Sequence, residues 1–238
     1  MAEDSRRQQL ATRVVFFFAG LALACWAPLI PTLRTNLRLD DAQLGGLLLC
    51  LGLGSVCTMP LSGGFASRFG CRKVILIASS LALLALPVLV IAPTPLVFGV
   101  CLFLTGAGIG TVDVVMNIHA IIVEKAAGRA MMSGFHALFS VGGVVGAGSM
   151  TGLLALGVAP LASILLMLSI VAALVFATGR NLLPYGSDEP TAAIAIPRGR
   201  VLLIGSMCFV MFLAEASVAQ DERGAIIVDG EPIAESVP

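Results

Sequence analysis

Charge is what this chain has least of. Lys, Arg, Asp and Glu make up 12% of its 238 residues, about half the roughly 25% of an ordinary soluble domain. Fourteen basic and fourteen acidic residues cancel to a formal net charge of +0. Bulk electrostatics therefore draws in neither nucleic acid nor a strongly cationic partner. The six cysteines (Cys25, Cys50, Cys57, Cys71, Cys101, Cys208) stand singly, with no CxxC pair and no histidine at ligand spacing. Small apolar packing is their ordinary use. No GxSxG, HExxH or P-loop segment supplies a nucleophile, zinc ligands or a phosphate cradle. These absences argue against an enzyme, a cofactor and a metal.

What is abundant is hydrocarbon. Hydrophobic residues reach 58% and the mean hydropathy is +1.02, values of a membrane protein. A spanning helix needs about 20 mostly apolar residues. Runs of that kind occupy residues 14–33, 44–61, 74–92, 95–124, 133–156, 160–177 and 201–219, the last interrupted by Glu215. Arg6-Arg7 and Ala22-Leu23-Ala24-Cys25 faintly resemble export and lipoprotein signals, but both matches are incomplete. With further spans following, the first run reads as a retained helix. The organisation expected is an N-terminus at 1–13, a six-helix bundle at 14–178, a linker at 179–200, a seventh helix at 201–219 and a polar tail at 220–238.

The few cations carry the orientation. With the N-terminus cytoplasmic, the inner segments hold eleven of the fourteen: Arg6, Arg7, Arg13, Arg68, Arg72, Lys73, Lys125, Arg129, Arg180, Arg198 and Arg200. The outer segments hold only Arg34, Arg38 and Arg223. Positive charge gathers on the cytoplasmic side of membrane proteins, so the chain is expected in the cell membrane, multi-pass, N-terminus inside.

The fourth run holds the stretch with most chemistry. At about 100° per residue, Gly106, Gly110, Asp113, Asn117, Ala120 and Glu124 fall in one stripe roughly 80° wide, every member small or polar. An acid facing lipid costs roughly 2.5–3.5 kcal/mol on insertion scales. Asp113 and Asn117 should therefore face protein or a wet cavity, and the default reading of an intramembrane acid is functional. No Lys or Arg lies within the first six runs to pair with Asp113. The alternative is a hydrogen-bonded helix interface. His119 falls on another face and reads as structural or interfacial. His136, with Ser140 and Gly143 at helical spacing, reads as a ligand contact, a proton relay or an interfacial residue. Trp26 stacks on a sugar-like ring or packs in a core. Gly142 and Gly146 form a GxxxG that lets helices approach or leaves room for a ligand.

Between the second and third runs, Gly63, Arg68, Gly70 and Arg72 match a basic loop pattern of Gly followed by Asp-Arg-x-Gly-Arg-Arg/Lys. This resembles the signature loop of the major facilitator superfamily, with Ser67 in place of the Asp and Cys71 where Arg is frequent. Asp113-Val-Val-Met-Asn117 is similar to an acid-x-x-x-Asn in the fucose-permease-like branch. The segments around His136-Ser140, Trp26-Ala27-Pro28, Gln43-Leu44-Gly45 and Ala214-Glu215 are similar to members near it. The resemblance covers about residues 12–219. It implies an all-α membrane protein: a six-helix major-facilitator N-terminal bundle plus a seventh helix, truncated against the family's twelve. It implies a secondary-active transporter of a small polar solute, sugar-like and proton-coupled. Asp113 and Glu215 would then couple protons, Asn117, Trp26, His136 and Ser140 would bind solute, and Gly63, Arg68, Gly70 and Arg72 would form the conformational loop. Its partners would be lipid, solute, protons, and a second half-transporter or a second copy. The competing reading is a non-transporting fragment or membrane assembly partner.

Overall fold

The structure, a computed structural model, describes residues 2–186, together with residues 199, 203, 207, 227, 228, 231 and 232. The main unit is helical throughout. α1 (Ala2–Ala24) and α2 (Ile30–Leu37), joined by a 3-10 turn at Ala27–Leu29, make the first crossing. The break falls where Pro28 and Pro31 remove two backbone donors and clash with the preceding turn. α3 (Asp41–Phe69), α4 (Cys71–Val90), α5 (Pro95–Ala127), α6 (Met132–Ala155) and α7 (Pro160–Gly179) follow. Among the described residues six segments are long and apolar enough to cross a membrane. Most of the seventh run, Glu215 among it, lies outside the described residues. In the second unit, Ile227–Val228 and Glu231–Pro232 pair as two short antiparallel strands.

Local chemistry starts the helices. Asp40 Oδ1 accepts the Gln43 N–H at 2.7 Å and Gln43 Oε1 accepts the Asp40 N–H at 3.2 Å. This reciprocal pair opens α3 as a capping box. Thr94 caps α5, whose first residue is Pro95, where a missing N–H costs nothing.

α5 is the centre of the bundle and packs on α3, α4 and α1, while α6 packs chiefly on α1. The two tightest crossings are built alike. A Cβ on Gly54 of α3 would strike the Phe103 carbonyl, and one on Gly106 of α5 the Leu51 carbonyl. On the other side, Gly20 of α1 meets the Phe139 carbonyl, and Gly142 and Gly146 of α6 meet the Phe17 and Leu21 carbonyls. Exchanging the first three crossings for the last three maps the α3–α5 contact onto α6–α1, and α4–α5 onto α7–α1. This is the packing expected of two inverted three-helix repeats. α3 and α6 bury least of their apolar length, 6% and 17%.

The basic segment between α3 and α4 departs from expectation. It is not a loop: Gly63 and Arg68 lie on α3, Arg72 lies on α4, and Gly70 alone is non-helical. Gly70 takes φ 83°, a conformation open to glycine and strained for other residues. The helices run on because the following chain satisfies the N-terminus of α4. The Leu183 carbonyl accepts the Arg72 N–H at 2.9 Å and the Tyr185 carbonyl accepts the Cys71 N–H at 3.3 Å.

Candidate functional site

The α5 stripe divides into three parts. Gly106 and Gly110 face α3, against Leu51 and Ser55. They form a helix crossing, and the Ser55 hydroxyl seals it by donating to the Gly106 carbonyl at 2.9 Å. At the far end Glu124 Oε2 accepts the N–H groups of Met131 and Met132 at 2.6 and 2.7 Å. It thereby caps the start of α6 through charge-assisted bonds. Between them stand Asp113 and Asn117, both half-buried. Asn117 Nδ2 donates to the Asp113 main-chain carbonyl at 2.8 Å, which fixes the amide against its own helix. Among the described residues the Asp113 carboxylate has no salt bridge.

His136 is the other candidate polar side chain of this region. It projects from the first turns of α6 and is exposed, with its ring edge-on to Phe16 at 5.2 Å and 83°. Phe16 in turn stacks on Phe135 at 5.5 Å, so an apolar pair holds the imidazole at the lip of α6. Ser140, one turn on, is exposed and donates to the His136 carbonyl at 3.3 Å. Asp113 and Asn117 are thus half-buried polar side chains of α5, and His136 and Ser140 exposed ones near the start of α6.

Trp26 does not join it. It is 7% exposed and belongs to the packed core, because the proline break turns this residue inward between α1 and the 3-10 turn. Its indole Nε1 is buried without a hydrogen-bond partner among the described residues. A solute cannot stack on a ring so placed in this conformation. Glu215 lies outside the described residues.

His119 forms a second polar centre at the basic end of the bundle. It is 1% exposed. The Leu183 N–H donates to its Nε2 at 3.1 Å and its Nδ1 lies 3.2 Å from Thr12 Oγ1. The Thr12 hydroxyl donates to the Gln8 carbonyl at 2.8 Å, so Nδ1 is the donor in its own bond. The partners therefore assign a neutral imidazole protonated at Nδ1. One side chain ties α5 to α1 and to the segment after α7. Nearby, Arg129 donates to Gln9 Oε1 at 3.0 Å. Residues 107 and 64 positions away in sequence meet His119. No local pattern announces Thr12 or Leu183 as its partners. Glu124, by contrast, could have been read as a cap from its place just before the turn into α6.

These features define a polytopic α-helical membrane protein, built as a bundle of two inverted three-helix repeats with a half-buried acid, Asp113, midway along its central helix. Residues 14–220 match the family model described as Major Facilitator Superfamily, and the chain belongs to that family. An uncharacterized MFS-type transporter of Yersinia pestis is 52% identical over 213 residues, which are 89% of this chain and 55% of that protein. An uncharacterized transporter of Sinorhizobium fredii is 37% identical over 132 residues, 56% of this chain and 35% of the relative. Membrane protein MosC of Rhizobium meliloti is 31% identical over 207 residues, 86% and 50% of the two chains. The chain spans about half the length, or less, of these curated relatives.

Proposed function

We propose that this chain is one bundle of a secondary-active carrier that moves a small polar, sugar-like solute together with protons. The N-terminus is placed in the cytoplasm and the protein in the cell membrane, on the strength of the eleven-to-three division of cations. Residues 14–178 form the transmembrane bundle, 179–200 the linker and 201–219 a seventh crossing. The fucose-permease-like resemblance gives the solute class. The observation that carries the reading is Asp113, a half-buried carboxyl without a salt bridge among the described residues, one turn from Asn117, whose amide is bonded back to the Asp113 main-chain carbonyl. Such an acid is able to exist neutral or ionised as a cavity closes or wets. Asn117, His136 and Ser140 supply donors and acceptors for solute hydroxyls, and Gly70 is the pivot of the conformational segment.

Alternating access needs two bundles rocking about a site near the membrane midplane. The thinly covered α3 and α6 are the faces on which a second bundle, or a second copy, would close. The bundle alone then does not transport, which is also the behaviour of the competing reading, a membrane assembly partner. Uptake of labelled solutes into vesicles separates the two. Joined to a second half, the chain accumulates a solute saturably under an imposed pH gradient. Absence of any pH-driven flux in such an assembly, across a panel of sugars and related polyols, would refute the carrier reading.

A further inference from the structure

α3 and α4 meet at Gly70 as antiparallel neighbours and both lie on α5, but they touch each other sparingly. The gap between them is an apolar groove of about 320 Å³ floored by Ala107, Gly108 and Thr111 of α5. Phe65 and Phe69 form one wall, their ring centroids 6.4 Å apart, and Ile77 stands on the other. All three are open to the outside, at 43%, 47% and 71% exposure. Lys73 is the only charged residue lining the groove, at its mouth. The Arg68 guanidinium lies over the Phe69 ring at 5.4 Å, and Arg72 follows one residue before Lys73. No carboxylate lines the site.

We propose that this groove binds an anionic phospholipid, with one acyl chain laid along α5 and the phosphate held by Lys73 and Arg68. Three properties converge on that occupant. The open side of the groove lies along membrane-spanning helices, so in this chain by itself what meets it there is hydrocarbon. From Phe69 back to Thr58 on α3 is about 16 Å and from Lys73 to Leu81 on α4 about 12 Å at 1.5 Å per residue. A single leaflet's hydrocarbon is about 15 Å deep, so the groove matches one chain in one leaflet. The cations sit only at the headgroup end, with no acid among the lining residues to compensate them, and basic pockets between membrane helices select anionic headgroups. The long Lys73 stem reaches toward that level as such side chains do at membrane interfaces.

The test uses this chain in nanodiscs of phosphatidylcholine containing phosphatidylglycerol, with bound lipid counted by native mass spectrometry after release. Phosphatidylglycerol should be retained over phosphatidylcholine by at least about fivefold. Lys73→Gln should abolish most of that preference, and Ile77→Trp, which fills an exposed part of the groove, should lower retention of both lipids. Glycerol phosphate should not compete, because the acyl chain supplies half of the site. Equal retention of the two lipids, or full preference in Lys73→Gln, overturns the proposal. So does the loss of retained lipid when a second bundle is joined to the chain, which would make the groove a protein–protein seat.

Discussion

Replacing His119 with alanine removes the one side chain that joins α1, α5 and the segment after α7. The Leu183 N–H is buried and loses its acceptor. An orphaned buried donor costs about 1–3 kcal/mol. The lost ring also leaves a cavity in a site 1% exposed, and large-to-small core changes cost about 2–5 kcal/mol. The sum expected for His119→Ala is therefore about 2–5 kcal/mol, since both losses overlap. His119→Gln keeps an amide oxygen for Leu183 but cannot span both partners, and should fall between. Thr12→Val should couple to His119→Ala, as residues sharing a hydrogen-bond network do. Two assays report it. Thermal unfolding in detergent gives the global loss. Chymotrypsin cleavage after Tyr185, which is 54% exposed but anchored through its carbonyl to Cys71, reports release of the segment after α7. An unchanged midpoint and unchanged cleavage in His119→Ala would show that the network holds nothing together.

Other substitutions test separate parts of the fold. Gly106→Val drives a side chain into the Leu51 carbonyl and should cost about 1–3 kcal/mol or more, whereas Gly148→Ala, facing open space, should leave folded yield on size-exclusion chromatography unchanged. Glu124→Ala removes the acceptor of the Met131 and Met132 N–H groups and should loosen the start of α6, seen as faster hydrogen exchange at those amides. In a background without native cysteines, an impermeant thiol reagent should reach Ser67→Cys from the cytoplasm and Asn36→Cys from outside, and the reverse pattern would invert the orientation.

The six crossings were legible because hydropathy run length and proline position are local properties. The start of α3 falls three residues before the apolar run at 44, because the capping pair of Asp40 and Gln43 is polar and adds nothing to hydropathy. The run from Gly63 to Phe69 read as a loop because it is rich in glycine and charge. It is the last two turns of α3, and the break shrinks to Gly70 because Leu183 and Tyr185, far along the chain, accept the first N–H groups of α4. The stripe on α5 was placed correctly on one face, yet that face meets three environments along its length. A helical wheel cannot tell the Gly106 crossing from the open level of Asp113, because depth along the axis is invisible to it. In the sequence Trp26 stays open between ring stacking and core packing for the same kind of reason: hydropathy does not say which way a residue points after a proline break.

The claim on which the functional account turns is that Asp113 carries the coupling proton and Asn117 contacts the solute. The direct measurement is pH-gradient-driven uptake by the chain joined to its second half, comparing the parent with Asp113→Asn and Asn117→Ala. The account predicts that Asp113→Asn abolishes accumulation against a gradient while solute exchange at equal pH persists, and that Asn117→Ala raises the solute concentration needed for half-maximal exchange. If Asp113→Asn accumulates solute as the parent does, Asp113 is a packing residue and the proton-coupled reading is wrong.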